Sequence, residues 1–199
     1  AGRRGLAAGG LAALAAAAPA LAAAPSEQET GQIATFRVDL EGNDNGQGEI
    51  KVLLRPDWAP RGVRRFQELV RMGEFDDAAV FHVDEGTAHF GFPATPTLEP
   101  ARIKDDLVRA SNSRGTLTFV QGRMPHQRVN QLLFNRADNK HLDKNGFAPI
   151  GEIIEGMELV DRFYDGYGKE PKKDLIAWKG NSYLDEEFPK LSKIKKVDM

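Results

Sequence analysis

The chain has 199 residues, of which 41% are hydrophobic and 28% charged, the balance of a globular protein. Its formal net charge of −2 gives no bulk electrostatic reason to expect a nucleic-acid partner. The absence of cysteine excludes disulfides, thiolate nucleophiles and cysteine-ligated zinc sites, and it leaves the redox compartment open.

The first 24 residues differ in composition from the rest of the chain. Arg3 and Arg4 precede an uncharged run at 5–24 that is almost entirely Ala, Gly and Leu and ends in Ala-Ala-Ala before Pro25. This pattern predicts an N-terminal apolar helix, either a twin-arginine export signal or a retained membrane anchor of spanning length. The missing initiator methionine fits a thylakoid signal behind a removed chloroplast transit peptide, and equally a truncated bacterial precursor.

The next segment, 25–32, is polar and predicts a linker, after which we expect one domain at 33–199. Alternation of apolar and polar residues predicts strands at 34–40 and 50–54, joined by a loop rich in turn residues.

Two amphipathic helices are predicted further along. The first spans 60–73, with Pro in its first turn and Gly at its end, and the second spans 157–164 before two glycines. Their apolar residues recur on one face, so we expect these side chains to be buried. The residues in question are Val63, Phe66, Leu69, Val160 and Phe163.

Short apolar runs at 79–83, 115–120, 131–135 and 147–154 predict four more strands. Loops with Pro or Gly separate them. Closely spaced short strands of this kind indicate a β-barrel or a β-sandwich.

The stretch FHVDEGTAHFGF at 81–92 contains two histidines with acidic residues between them. A turn between His82 and His89 would let these groups converge, so a metal site and an acid–base site are both hypotheses. No second motif supports a metal, and none is predicted. The other two histidines, His126 and His141, have no evident partners in the sequence and are interpreted as exposed loop residues.

Three stretches together resemble cyclophilins: GEIKVLLRPDWAPRGVRRFQELVRMGEFDDAAVFHV (48–83), SNSRGTLTFVQG (111–122) and NQLLFNRADNKHLDKNGFAPIGEIIEGMELVDRFYDGYG (130–168). With the tail GNSYLDEEFPKL (180–191), they are similar to a branch known mainly from bacteria. The resemblance implies a mainly β fold, a closed eight-stranded antiparallel barrel capped by two helices. It also implies peptidyl-prolyl isomerase chemistry, in which an arginine donates hydrogen bonds to the twisting amide without any cofactor or metal.

The resemblance also assigns site positions, several of which depart from the family pattern. His82 stands where the catalytic arginine is expected, and Gln131 matches the family glutamine. Other groove positions carry residues unlike those of the family, which puts proline binding and catalysis in doubt. These positions are Thr87, His89, Val120, Leu133 and Phe147.

The resemblance leaves two hypotheses for the function, and the substitutions favour the first of them. The first is a non-catalytic binding or structural subunit of a membrane complex, such as a photosystem, on the lumen side of a thylakoid. The second is an isomerase that assists the folding of exported proteins, with a bacterial periplasm as the alternative location. The expected partner is a proline-containing peptide or protein surface, with no nucleic acid.

Overall fold

The structure is a computed structural model that describes residue 2, residues 31–41 and residues 46–199. Apart from residue 2, the predicted signal or anchor at 1–24 lies outside the described residues, as does the predicted linker up to residue 30. The N-terminal apolar helix therefore stays a prediction. Among the described helices, none has both the length and the apolar character needed to cross a membrane.

The described residues form nine strands and several short helices. The strands are β1 Ile33–Leu40, β2 Gly46–Leu54, β3 Ala78–Ala79, β4 His82–Val83, β5 Thr87–Phe90, β6 Thr116–Phe119, β7 Leu132–Asn135, β8 Pro149–Glu155 and β9 Lys193–Asp198. The helices are α1 Pro60–Arg71, a 3-10 helix Lys140–Asn145, α2 Met157–Asp161, α3 Lys173–Lys179 and α4 Asn181–Glu187.

The strands form one curled antiparallel sheet in the order β3-β9-β1-β2-β8-β6-β7-β5-β4. Its two terminal strands, β3 and β4, are separated in sequence by Val80 and Phe81 alone. Val80 N–H donates to Ser192 O at 2.9 Å on the β9 side, and Phe81 N–H donates to His89 O at 3.0 Å on the β5 side. This segment therefore pairs first with β9 and then with β5, so the single strand predicted at 79–83 becomes two.

The predicted mainly β, antiparallel fold is confirmed, with nine strands in place of eight. Its core is a cluster of phenylalanine rings in which Phe36 contacts Phe66, Phe90 and Phe134 at centroid distances of 5.4–5.9 Å. The five helix residues expected to be buried are each at most 4% exposed, which confirms that prediction.

Helix α1 is held against β8 by a close approach and a cap from a distant loop. A Cβ at Gly62 would lie 2.6 Å from Cγ2 of Ile150, so only glycine permits this contact. Asp106 accepts hydrogen bonds from the backbone N–H groups of Arg61 and Gly62, at 3.0 and 2.8 Å. It thereby supplies the helix cap that no neighbouring side chain provides.

Several elements differ from the sequence-based expectations. Helix α1 ends at Arg71 instead of 73, α2 ends at Asp161 instead of 164, and β2 begins at Gly46 inside the predicted loop. Helices α3 and α4 were not predicted, because each has only seven residues, too few to show a helical periodicity. They pack on a second small apolar cluster beside the sheet, formed by Ala79, Phe81, Ile176, Tyr183, Leu184 and Leu191.

Candidate functional site

The β4–β5 hairpin carries the two histidines of the predicted site. In its antiparallel register His82 lies opposite His89, and Val83 lies opposite Ala88. Because side chains alternate along a strand, Val83 and Ala88 point into the core while both histidines face the other side. The tight turn between them is stabilised by Asp84, whose Oδ1 accepts from the N–H groups of residues 86 and 87 at 3.0 and 2.7 Å.

The two imidazole rings stack, with centroids 4.6 Å apart and an interplanar angle of 17°. Thr87 Oγ1 donates its single proton to Asp84 Oδ1 at 3.0 Å, so it accepts from Nε2–H of His89 at 3.0 Å. His89 is therefore the Nε2-protonated tautomer, and its Nδ1 is buried without a hydrogen-bond partner. His82 Nε2 lies 3.2 Å from Asp84 Oδ2, without the alignment of a hydrogen bond.

Burial keeps both rings neutral near pH 7. Desolvation lowers the pKa of His82 from its usual 6.5, against the opposing charge of Asp84. Desolvation, together with the neighbouring His82, lowers the pKa of His89 to about 3. For Asp84, desolvation works in the raising direction, but hydrogen bonds from Thr87 and Gly86 outweigh it and lower the pKa. The hairpin thus presents neutral rings beside a carboxylate.

The hairpin forms one wall of an open cleft of about 570 Å³. Six of the seven predicted site residues line it: His82, Thr87, His89, Val120, Leu133 and Phe147. Gln131 is absent from the lining and instead contacts Lys173, whose Nζ lies 3.0 Å from its Oε1. The catalytic and substrate-binding roles assigned to these residues stay predictions.

Hydrogen bonds from polar groups fix the opposite wall of the cleft, which carries His141 and Leu142. Asn139 donates from Nδ2 to Gly86 O at 2.8 Å, which ties the start of the 3-10 helix to the hairpin turn. Asp143 accepts from Ser111 Oγ at 2.6 Å and from Asn112 N–H at 2.8 Å. The Asn139 bond therefore joins the two walls, and the Asp143 bonds fix the 3-10 helix to residues 111 and 112.

Sequence reasoning missed Lys169, which follows α2 and reaches the lining. A lysine in a glycine-rich charged segment gives no local signal of a site, since the same composition is typical of a solvated loop. Lys169 is the only lysine of the lining within the described residues, and the lining there contains no arginine.

The metal hypothesis for the two histidines receives no support from the geometry. Across residues 31–41 and 46–199, no group of three or more His, Asp or Glu side chains is placed to hold a metal ion. The rings contact each other, Thr87 and Asp84 instead.

Comparisons with known proteins agree with the fold. The family model for cyclophilin type peptidyl-prolyl cis-trans isomerase/CLD matches residues 37–178. A peptidyl-prolyl cis-trans isomerase of Acinetobacter baylyi is 28% identical over 142 residues, covering 65% of this chain and 72% of that protein. A probable peptidyl-prolyl cis-trans isomerase of Brucella suis is 27% identical over 140 residues, covering 60% and 68%.

Two solved structures are similar in fold. The cyclophilin AquaCyp293 from Hirschia baltica superposes with a TM-score of 0.61 at 14% identity, over 84% of this chain and 73% of that one. A cyclophilin type peptidyl-prolyl cis-trans isomerase of Cryptosporidium parvum, determined in the presence of the dipeptide Ala-Pro, superposes with a TM-score of 0.59 at 15% identity. The match covers 84% of this chain and 98% of that one.

Proposed function

This chain belongs to the cyclophilin type peptidyl-prolyl cis-trans isomerase family, and from that membership we propose that its cleft binds proline-containing segments and isomerises them slowly. The observation that carries the proposal is the cleft itself, which apolar side chains (Val120, Leu133 and Phe147) line together with the polar His82–His89 hairpin. A pocket that combines an apolar surface with a few polar groups suits a proline ring next to its amide.

The chemistry needs little beyond binding. Rotation about a peptide bond has a barrier of about 18–20 kcal/mol, and X–Pro bonds exchange in tens to hundreds of seconds. A site that binds the twisted amide better than either planar form lowers this barrier, and no cofactor has to take part. Val120, Leu133 and Phe147 would hold the proline ring, while polar groups at the rim would stabilise the twisted amide.

The expected rate is low because the polar groups are weak. A neutral imidazole has one N–H donor, whereas a guanidinium has five and keeps its charge. His82 is neutral near pH 7 and holds its Nε2 beside Asp84. Removing one preorganised donor slows other enzymes by about 10²–10³-fold, and we expect a deficit of that order against an arginine-bearing member.

A second candidate is a binding module without catalysis. It is favoured by the lack of any arginine among the described lining residues. That the partner is a membrane complex stays a proposal. A location on the exported side of a thylakoid or bacterial membrane also stays a proposal. The two sequence relatives named above, from Acinetobacter baylyi and Brucella suis, are bacterial, and they lend no support to a photosystem.

The experiment is a measurement of cis–trans exchange of an Ala-Pro-containing tetrapeptide by NMR at substoichiometric protein. Wild-type protein should accelerate exchange measurably. Phe147→Ala, which removes a ring from the cleft, should abolish most of this acceleration. Trp178→Ala removes a ring that is 72% exposed on α3, outside the cleft lining, and should leave the rate unchanged.

The outcomes separate the two candidates. Acceleration that depends on Phe147 but not on Trp178 supports the isomerase. Saturable peptide binding without acceleration supports the binding module. A protein that neither binds the peptide nor speeds its exchange would contradict both.

A further inference from the structure

The first turn of α3 brings a lysine to the edge of the cleft. Lys173 Nζ lies 3.0 Å from Oε1 of Gln131 and 5.6 Å from the centroid of the Phe81 ring. Phe81 in turn lies beside His89, with ring centroids 6.3 Å apart. Lys173 therefore lies behind the histidine hairpin and contacts Gln131, the residue that precedes β7.

This contact determines how the Gln131 amide is oriented. An ammonium group has three donors and no acceptor, so the atom of Gln131 that faces Lys173 has to be the oxygen. The NH2 group of the same amide then points away from Lys173 with both of its donors available. Gln131 lies outside the cleft lining but two residues before Leu133, which lines the cleft, and side chains two residues apart share one face of a strand, so the Gln131 amide lies beside the cleft.

The electrostatic surroundings agree with this placement. Desolvation lowers the pKa of Lys173, although the side chain is on the exposed surface. The lysine charge also contributes to the lowered pKa of both His82 and His89, behind the larger effect of desolvation. Its ammonium is thus close enough to act on the hairpin as well as on Gln131.

We propose that Lys173 is a positioning residue, which holds the Gln131 amide so that its NH2 group donates to a backbone carbonyl of the bound proline-containing segment. This inference rests on the proposed function of the cleft. Lys173 itself does not have to touch the substrate, since it acts through Gln131. In this proposal α3, which the sequence did not predict, contributes a residue to the site.

The alternative is that Lys173 only ties α3 to the edge of the sheet. In that case its removal would lower the stability of the protein but would not change the affinity for peptide in the folded state. Affinity measured together with unfolding therefore distinguishes a positioning role from a structural one.

The test is the dissociation constant of an Ala-Pro-containing tetrapeptide for a set of full-length variants, with denaturant unfolding in parallel. Lys173→Met should weaken binding about 3–10-fold, the range expected for the loss of one hydrogen bond to the ligand. Lys173→Arg keeps a donor-only cation and should retain most of the affinity. Lys172→Met removes the adjacent exposed lysine, which makes it the matched control, and should bind like wild type.

A double-mutant cycle with Gln131→Met decides whether Lys173 acts through Gln131. In that background Lys173→Met should cause no further loss, because the amide that it orients is gone. Equal affinities of Lys173→Met and Lys172→Met, or additive losses in the cycle, would overturn the inference while leaving the proposed function intact. If wild-type protein does not bind the peptide, the proposed function fails and the inference fails with it.

Discussion

At the residue scale, His82 and His89 form a stacked pair of rings that ionise only in acid. The resemblance to the family places the first of them, His82, where a permanently charged arginine is expected. Stacking at 4.6 Å places any two positive charges close together, and burial adds the cost of desolvation. The Nδ1 atom of His89 is buried without a partner, so a proton on it would have no acceptor. Stacking and burial of the two imidazole rings therefore keep both of them neutral.

This packing predicts a loss of stability in mild acid. The pKa of His89 is about 3 in the folded protein, against an ordinary imidazole value of 6.5, so between these values the unfolded chain binds a proton that the folded chain does not. The free energy of unfolding therefore falls as pH decreases through this window, by about 1.4 kcal/mol per pH unit for one such site.

The measurement is denaturant unfolding at pH 7 and pH 5 for wild type, His89→Phe and His141→Phe. Wild type should lose on the order of 2 kcal/mol more than His89→Phe between these pH values, because the variant lacks the titrating ring. His141 is exposed, so His141→Phe should keep the wild-type difference. Equal pH dependence of wild type and His89→Phe would refute this account of the pair.

The sequence could identify the hairpin residues but not the lysines that lie next to the hairpin and the cleft. His82, Thr87 and His89 were placed by resemblance, since the flanking residues match a known pattern. Lys173 could not be found in this way, because its position depends on how α3 packs against the sheet, and Lys169 could not, because it lies in a turn between α2 and α3 without a local signal. Nor could Gln131 be recognised as the partner of a lysine 42 residues away.

At the element scale, α1 depends on a loop that is distant in sequence. Asp106 caps the helix and pairs with Arg128, whose Nη2 lies 3.1 Å from its Oδ2. Both side chains are almost fully buried, with 2% and 1% exposure. Arg128 Nε also lies 3.3 Å from Asp105 Oδ1, so the cluster links the start of α1 to two loops.

Removing one member of this cluster should be costly. Asp106→Ala leaves a buried guanidinium with one fewer partner and two uncapped helix N–H groups. We expect a loss of about 3 kcal/mol in the free energy of unfolding, the lower end for breaking a buried ion pair. The control is Asp165→Ala, at an exposed loop position, with an expected change within about 0.5 kcal/mol. Similar unfolding midpoints for the two variants would contradict a capping role for Asp106.

The elements that could be predicted are those with strong local patterns. Alternation identified β1 and much of β2, and the apolar face of α1 identified its buried residues. Strand β5 was missed because it is short and half polar, and β9 because lysines interrupt its apolar positions. The division of 79–83 into β3 and β4 arises from a change of pairing partner, which no local pattern encodes.

At the scale of the whole molecule, the family match covers the curled sheet except for the start of β1 and all of β9, and it does not reach the N-terminal segment. The family model matches residues 37–178, whereas the predicted export signal or anchor occupies 1–24. Export to a periplasm or a thylakoid lumen stays our proposal, and the mass of the native N-terminus tests whether this segment is removed.

The central claim is that the cleft between the histidine hairpin and the 3-10 helix takes proline-containing segments. Its most direct test is an NMR titration of the wild-type protein with an Ala-Pro-containing tetrapeptide, observed at the four histidine rings and the Leu133 amide. We predict saturable shifts at His82, His89 and Leu133, with none at His126, which lies outside the described cleft lining. Absence of saturable shifts at the hairpin, or shifts confined to residues outside the cleft, would contradict the account.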